Sequence, residues 1–176
     1  MTTKTEAAKT NRQSPGIALI GVVLLALSII GTGISSYLVY VHFAKLNPVC
    51  LPFAKCEVVL TSRYAEMWGV PLSLLGLLMY IGLVVLSLWL LQKRNENKGL
   101  AAIGIYTMAL AGTMFSLYLL YLEAYVIHDY CTWCLASGIV ILTILILSLV
   151  NLSAMGLNLG GLPRYVRVRV RRYIRW

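Results

Sequence analysis

Acid is scarce in this chain: only 6 of its 176 residues are Asp or Glu, and charged residues of both signs make up 12%. A water-soluble domain of this size needs far more polar surface, so the shortage makes lipid the main solvent. Ionisable side chains are essentially missing from the middles of the apolar runs. That weighs against a small transporter, which sets such groups at mid-membrane. Internal repeats and low-complexity tracts are missing as well, which removes solenoids and fibrous arrays.

What is abundant is apolar, at 60% of residues. A spanning helix takes roughly 20 such residues in a row. Four stretches qualify, approximately Ile17 to Phe43, Pro71 to Leu91, Leu100 to Leu122 and Cys131 to Leu152. The reading is an all-α membrane protein: a four-transmembrane-helix bundle over 16–153 between a disordered polar segment, 1–15, and a basic tail, 154–176. The first run exceeds the roughly 7–15 residues of a signal core and no A-x-A site follows it, so it is expected to be retained. Small residues Gly31, Gly33, Ser35 and Ser36 in that run are expected to serve close helix packing.

Charge sets the orientation. Lys4, Lys9 and Arg12 precede the first run, Lys93, Arg94 and Lys98 lie between the second and third, and Arg164, Arg167, Arg169, Arg171, Arg172 and Arg175 follow the fourth. The opposite side holds only Lys45, Lys55 and Arg63 beside Glu57, Glu66, Glu123 and Asp129. The positive-inside rule places both termini in the cytoplasm of a multi-pass protein of the cell membrane. The tail RYVRVRVRRYIRW is expected to lie on anionic lipid rather than on nucleic acid.

The outer loop, Lys45 to Val70, is expected to hold a short helix near Thr61 to Trp68, with Tyr64 and Trp68 at the interface, and Pro71 is read as the first-turn proline of the second helix. All four cysteines fall on this outer side: Cys50 and Cys56 in the loop, Cys131 and Cys134 where the fourth helix opens. Disulfides persist in such an oxidising compartment. Asp129 can cap the fourth helix, which would put Cys131 at about its second position, where unpaired N–H groups favour a thiolate. A C-x-x-C disulfide closes too small a loop to act mainly as a staple and is poised to exchange. A zinc site is not expected, because the spacings match no usual finger. Haem attachment would need His where Leu135 stands. Two structural disulfides in a non-catalytic scaffold remain a rival. His128 and Asp129 are expected to serve capping and the loop, and Trp133 to anchor at the interface.

With these residues in hand the chain resembles the vitamin K epoxide reductase family. The likeness rests on Cys50 and Cys56, then Thr61-Ser62-Arg63, Gly76 and Tyr80, and Asp129-Tyr130-Cys131-x-x-Cys134, in that order. It implies a thiol–disulfide relay in which a partner exchanges with Cys50, Cys56 exchanges with Cys131, and Cys134 delivers electrons to a quinone such as ubiquinone or menaquinone. It also implies a quinone site with Ser62, Leu60, Met79 and Leu119. Bacterial members look closest; many carry a fused thioredoxin-like domain, so a separate thioredoxin-fold partner is expected, in support of disulfide-bond formation. Leu72 and Gly138 stand where animal members often have Asn and Tyr, which hydrogen-bond the quinone. Their absence favours plain quinone reduction over the alternative, reduction of a quinone epoxide.

Overall fold

A computed structural model describes residues 15–46, 50, 56–61, 66–67, 70–92 and 98–154. Four long helices carry the fold: α1 (Pro15–Ala44), α3 (Leu72–Leu91), α4 (Lys98–Leu122) and α5 (Thr132–Ala154). Between α1 and α3 lie a short helix, α2 (Cys56–Thr61), and two paired dipeptides, β1 (Glu66–Met67) and β2 (Val70–Pro71). Each long helix is apolar and long enough to cross a bilayer, over Ala18–Ala44, Leu72–Leu91, Lys98–Ile127 and Thr132–Ala154. The backbone satisfies itself within each helix, as lipid demands.

The helices form a closed ring in the order α1, α3, α4, α5, each packed on its two neighbours. Leu24, Tyr80, Leu83, Ile105, Ile141 and Ile144 fill the centre. Equally apolar side chains such as Leu19, Leu78, Val85, Met114 and Ile146 face outward, where the solvent is hydrocarbon. Two hydroxyls inside the bundle return to their own helices: Ser28 donates to the Leu24 carbonyl at 2.8 Å and Thr113 to that of Ala109 at 2.8 Å. That back-bonding satisfies a buried hydroxyl without a neighbour.

Close approach of α1 and α3 depends on two small residues a turn apart. Gly31 and Ser35 are buried, whereas Gly33 and Ser36 are exposed. The Tyr80 ring fills the space where a Gly31 Cβ would sit, and a Cβ on Gly76 would meet Ser35 Oγ at 3.6 Å. The four small residues read together as packing positions therefore divide: Gly31 and Ser35 pack, and Gly33 and Ser36 face out. From α3, with its ring packed on Gly31 of α1, Tyr80 donates to the Ser137 carbonyl on α5 at 2.9 Å, with Ser137 Oγ at 3.1 Å. One side chain thus ties three helices.

The loop departs from expectation. Its short helix covers Cys56–Thr61 rather than Thr61 to Trp68, and Glu66–Met67 pairs antiparallel with Val70–Pro71. Strand pairing uses the backbone groups that a helix there would have kept for itself. Pro71 is extended, at φ −62° and ψ 132°, and stands at the N-cap of α3 rather than in its first turn. Pro71 also pairs with Glu66, and that extended pairing holds it outside the helix.

Candidate functional site

The site forms where α4 gives way to α5. The chain does not leave the helix at Leu122; it continues through a single π turn, Glu123–Ile127, and stops at His128, which is left-handed at φ 59°. Isolated π turns recur at functional sites because they re-aim side chains by part of a turn. Glu123, the first residue of this turn, carries a carboxylate that points inward. Glu123 is 3% exposed, and its Oε2 accepts a hydrogen bond from the Cys131 backbone N–H at 3.1 Å. The Cys134 thiol also lies within hydrogen-bonding reach of this carboxylate.

Cys131 itself is the N-cap of α5. Its carbonyl accepts the Leu135 N–H at 3.0 Å, and its Sγ receives the Cys134 N–H at 3.4 Å. A sulfur thus takes the place that Ser or Asp oxygen usually holds at an N-cap. The expectation that Cys131 stands at about the second position of the helix is corrected: the helix begins at Thr132, Cys131 immediately precedes it, and Glu123 holds its N–H. The Cys131 thiol is held below the ordinary thiol range. The hydrogen bond with the Cys134 thiol does most of this, and the N–H groups of Cys134 and Trp133 add to it; burial and the Glu123 charge oppose it. The sequence reading expected the helix N–H groups to do this from a position inside the helix, whereas Cys131 sits one residue outside it.

Cys50 and Cys56 are joined as a disulfide with their Cα atoms 6.3 Å apart, while Cys131 and Cys134 are free thiols. Cys56 is buried, at 1% exposed, and Cys50 is half-buried. Helix α2, which begins at Cys56, packs against the π turn. The inner end of the loop disulfide is therefore carried on the segment that approaches the C-x-x-C. Trp133 packs its indole on the Tyr37 ring, with centroids 4.9 Å apart, so it pins the start of α5 to α1 in addition to any interfacial role.

Below the cysteines lies a cavity of about 330 Å³. That is within the size range of small-molecule sites, which are mostly apolar with a few placed polar groups. Met79 and Leu119 line it, as the resemblance implied for them, and so do Leu72 and Gly138. Cys134, Glu123, Ser116 and Ser137 supply polar atoms at its wall. Leu117, Ile139 and Leu142 also line it while being 57%, 67% and 46% exposed, so the cavity reaches the lipid-facing surface between α4 and α5. Leu60 lies in α2, with its side chain outside the described residues, and Ser62 lies outside them altogether.

Sequence reasoning missed Glu123 as a site residue, counting it as one more charge in an outer link. The available signal was its isolation: one carboxylate in the run YLLYLEAYVI, eight residues before the first cysteine of the C-x-x-C. A lone ionisable group in an apolar helix is a functional candidate by default.

A comparison with family models bears on this arrangement. The model described as the vitamin K epoxide reductase family matches residues 22–149, a span that runs from within α1 to near the end of α5 and includes all four cysteines. A four-helix membrane bundle, a disulfide-bonded cysteine pair in the loop and a C-x-x-C pair beside an apolar cavity are the features of the matched region, and the chain belongs to the vitamin K epoxide reductase family of membrane oxidoreductases.

Proposed function

We propose that the chain is a membrane thiol–quinone oxidoreductase that takes electrons from a thioredoxin-fold partner on the outer side and delivers them to a ubiquinone- or menaquinone-type acceptor. The observation that carries this reading is the Cys131–Cys134 pair, with Cys134 in the wall of an apolar cavity that reaches lipid. The residues present fit a quinone ring: apolar walls at Met79 and Leu119, polar atoms at one end, and a side opening for a lipophilic tail. Leu72 and Gly138 bring no hydrogen-bonding side chains to that wall. This favours a plain quinone over an epoxide.

The relay follows from the order of exposure. The partner's thiolate attacks the half-buried Cys50 and releases Cys56. Cys56, on the helix packed against the π turn, then attacks Cys131 of an oxidised inner pair and releases Cys134. The partner's second thiol then frees Cys50, which closes on Cys56 and releases Cys131; the Cys131–Cys134 dithiol at the cavity wall gives its two electrons to the bound acceptor and closes again. A two-electron couple gains about 1.4 kcal/mol per 30 mV, so an acceptor of higher potential pulls the sequence forward. The protein supplies position, a dry site and thiolate stabilisation.

The test is direct. Purified protein mixed with a reduced periplasmic thioredoxin-fold protein should oxidise its thiols catalytically only when quinone is added, with quinol formed mole for mole. Stoichiometric thiol loss that quinone does not extend would leave two structural disulfides and a scaffold.

Orientation gives a second expectation. With both termini cytoplasmic, an impermeant maleimide applied to intact, reduced cells should label Cys50 first and the buried Cys56 and Cys131 slowly. Labelling that requires access from the cytoplasm would invert the topology.

A further inference from the structure

Glu123 does two things that a capping group alone does not need. Its carboxylate is buried to 3% in a segment otherwise apolar, and it borders the cavity beside Cys134 as well as holding the Cys131 N–H. Capping is an exposed-surface task that Ser or Asp performs cheaply, and a carboxylate enclosed at a membrane boundary is costly. Glu123 continues the cavity face of α4, at helical spacing from Ser116 and Leu119, which also line the cavity. A proton acceptor touching the thiol that faces the cavity, and itself exposed to the cavity, occupies the place of a proton carrier.

Resting on the thiol–quinone reading above, we propose that Glu123 is a catalytic residue: the base that takes the Cys134 thiol proton and the acid that passes it to the oxygen of the quinone in the cavity. The balance closes. The reduced pair gives up two electrons and two protons, one S–S bond forms between Cys131 and Cys134, and quinone becomes hydroquinone. The proton held on Cys134 travels through Glu123, which ends each turnover in the state in which it began. The second proton comes from the Cys131 thiol or, where that sulfur is already a thiolate, from the aqueous phase at the outer membrane boundary.

Glu123→Gln isolates this role, because an amide oxygen can still accept the Cys131 N–H but the side chain can no longer carry a proton. Three measurements are read together. In anaerobic mixing without quinone, exchange from the reduced partner through Cys50 and Cys56 to an oxidised Cys131–Cys134 pair should stay within about threefold of wild type. Quinol formation from the reduced pair should fall about a hundredfold, the lower range for removing a general acid–base. Redox-difference infrared spectra of wild-type protein without quinone should show a carboxyl band that responds to oxidation of the inner pair and is missing in Glu123→Gln. Wild-type protein that forms no quinol would defeat the thiol–quinone reading itself. Active wild type with an equally active Glu123→Gln overturns the proton role alone. A loss of both half-reactions together would make Glu123 a positioning residue, and so would wild-type spectra without a carboxyl response, an outcome that does not depend on the variant folding.

Discussion

Cys131→Ala is expected to stop electron transfer to quinone while leaving the bundle intact. Cys131 is the sulfur that receives electrons from the loop and the partner that closes the disulfide on Cys134, so no other side chain can substitute for it. Removing a nucleophile that acts as part of a unit costs on the order of a thousandfold or more. The structural loss is small by comparison. Alanine keeps the backbone N–H that Glu123 accepts and gives up the sulfur that receives the Cys134 N–H at 3.4 Å. An N-cap is worth about 1 kcal/mol, so insertion and unfolding in detergent should change little. Stopped-flow quinol formation alongside a denaturant titration separates the two effects. Turnover at the wild-type rate would mean that the inner pair is structural. The companion variant Cys56→Ala should hold a long-lived mixed disulfide between Cys50 and the thioredoxin-fold protein, visible on non-reducing gels.

Gly31→Ala is expected to produce the largest loss of stability of any single methyl added to the described bundle. The Tyr80 ring already fills the space for that methyl, and the ring is held at its far end by Ser137. It cannot retreat without giving up both contacts or separating α1 from α3. Overpacking costs about 1–3 kcal/mol, and an interhelical hydrogen bond in a bilayer about 0.6 kcal/mol. A loss of about 2–3 kcal/mol follows, measured by unfolding in mixed detergent micelles. Gly33→Ala, two residues on, is the control: nothing lies within 4 Å of its added Cβ. Alanine is up to about 1 kcal/mol better than glycine inside a helix, so that variant should be neutral or slightly more stable. Equal effects at Gly31 and Gly33 would show that the α1–α3 contact does not run through Tyr80.

The contrast between these two glycines shows where sequence reading stops. The number of spans, their approximate limits and the clustering of the four cysteines were legible in the sequence, because a bilayer imposes a local rule: about 20 apolar residues in succession, with the polar chemistry left for the ends. The C-x-x-C at a helix start was legible for the same reason. Part of its electrostatics comes from neighbouring backbone N–H groups, which a helix start always supplies.

The faces of those helices were not legible. Lipid and bundle interior are equally apolar, so Leu83 at the centre and Leu78 on the outside carry no distinguishing mark. Only the tertiary structure chose Gly31 and Ser35 over Gly33 and Ser36. Only it carried the Tyr80 hydroxyl across to α5. Helix continuation past Leu122 was equally hidden, because an acidic residue near a predicted helix end reads as the start of a loop. The helix instead runs on through a π turn, and Glu123 at its start meets the Cys131 N–H. Composition thus determined what the chain dissolves in and where its sulfur lies. Packing decided which carboxylate, which hydroxyl and which cavity meet that sulfur, because those contacts join residues on different helices, and no local pattern records a neighbour.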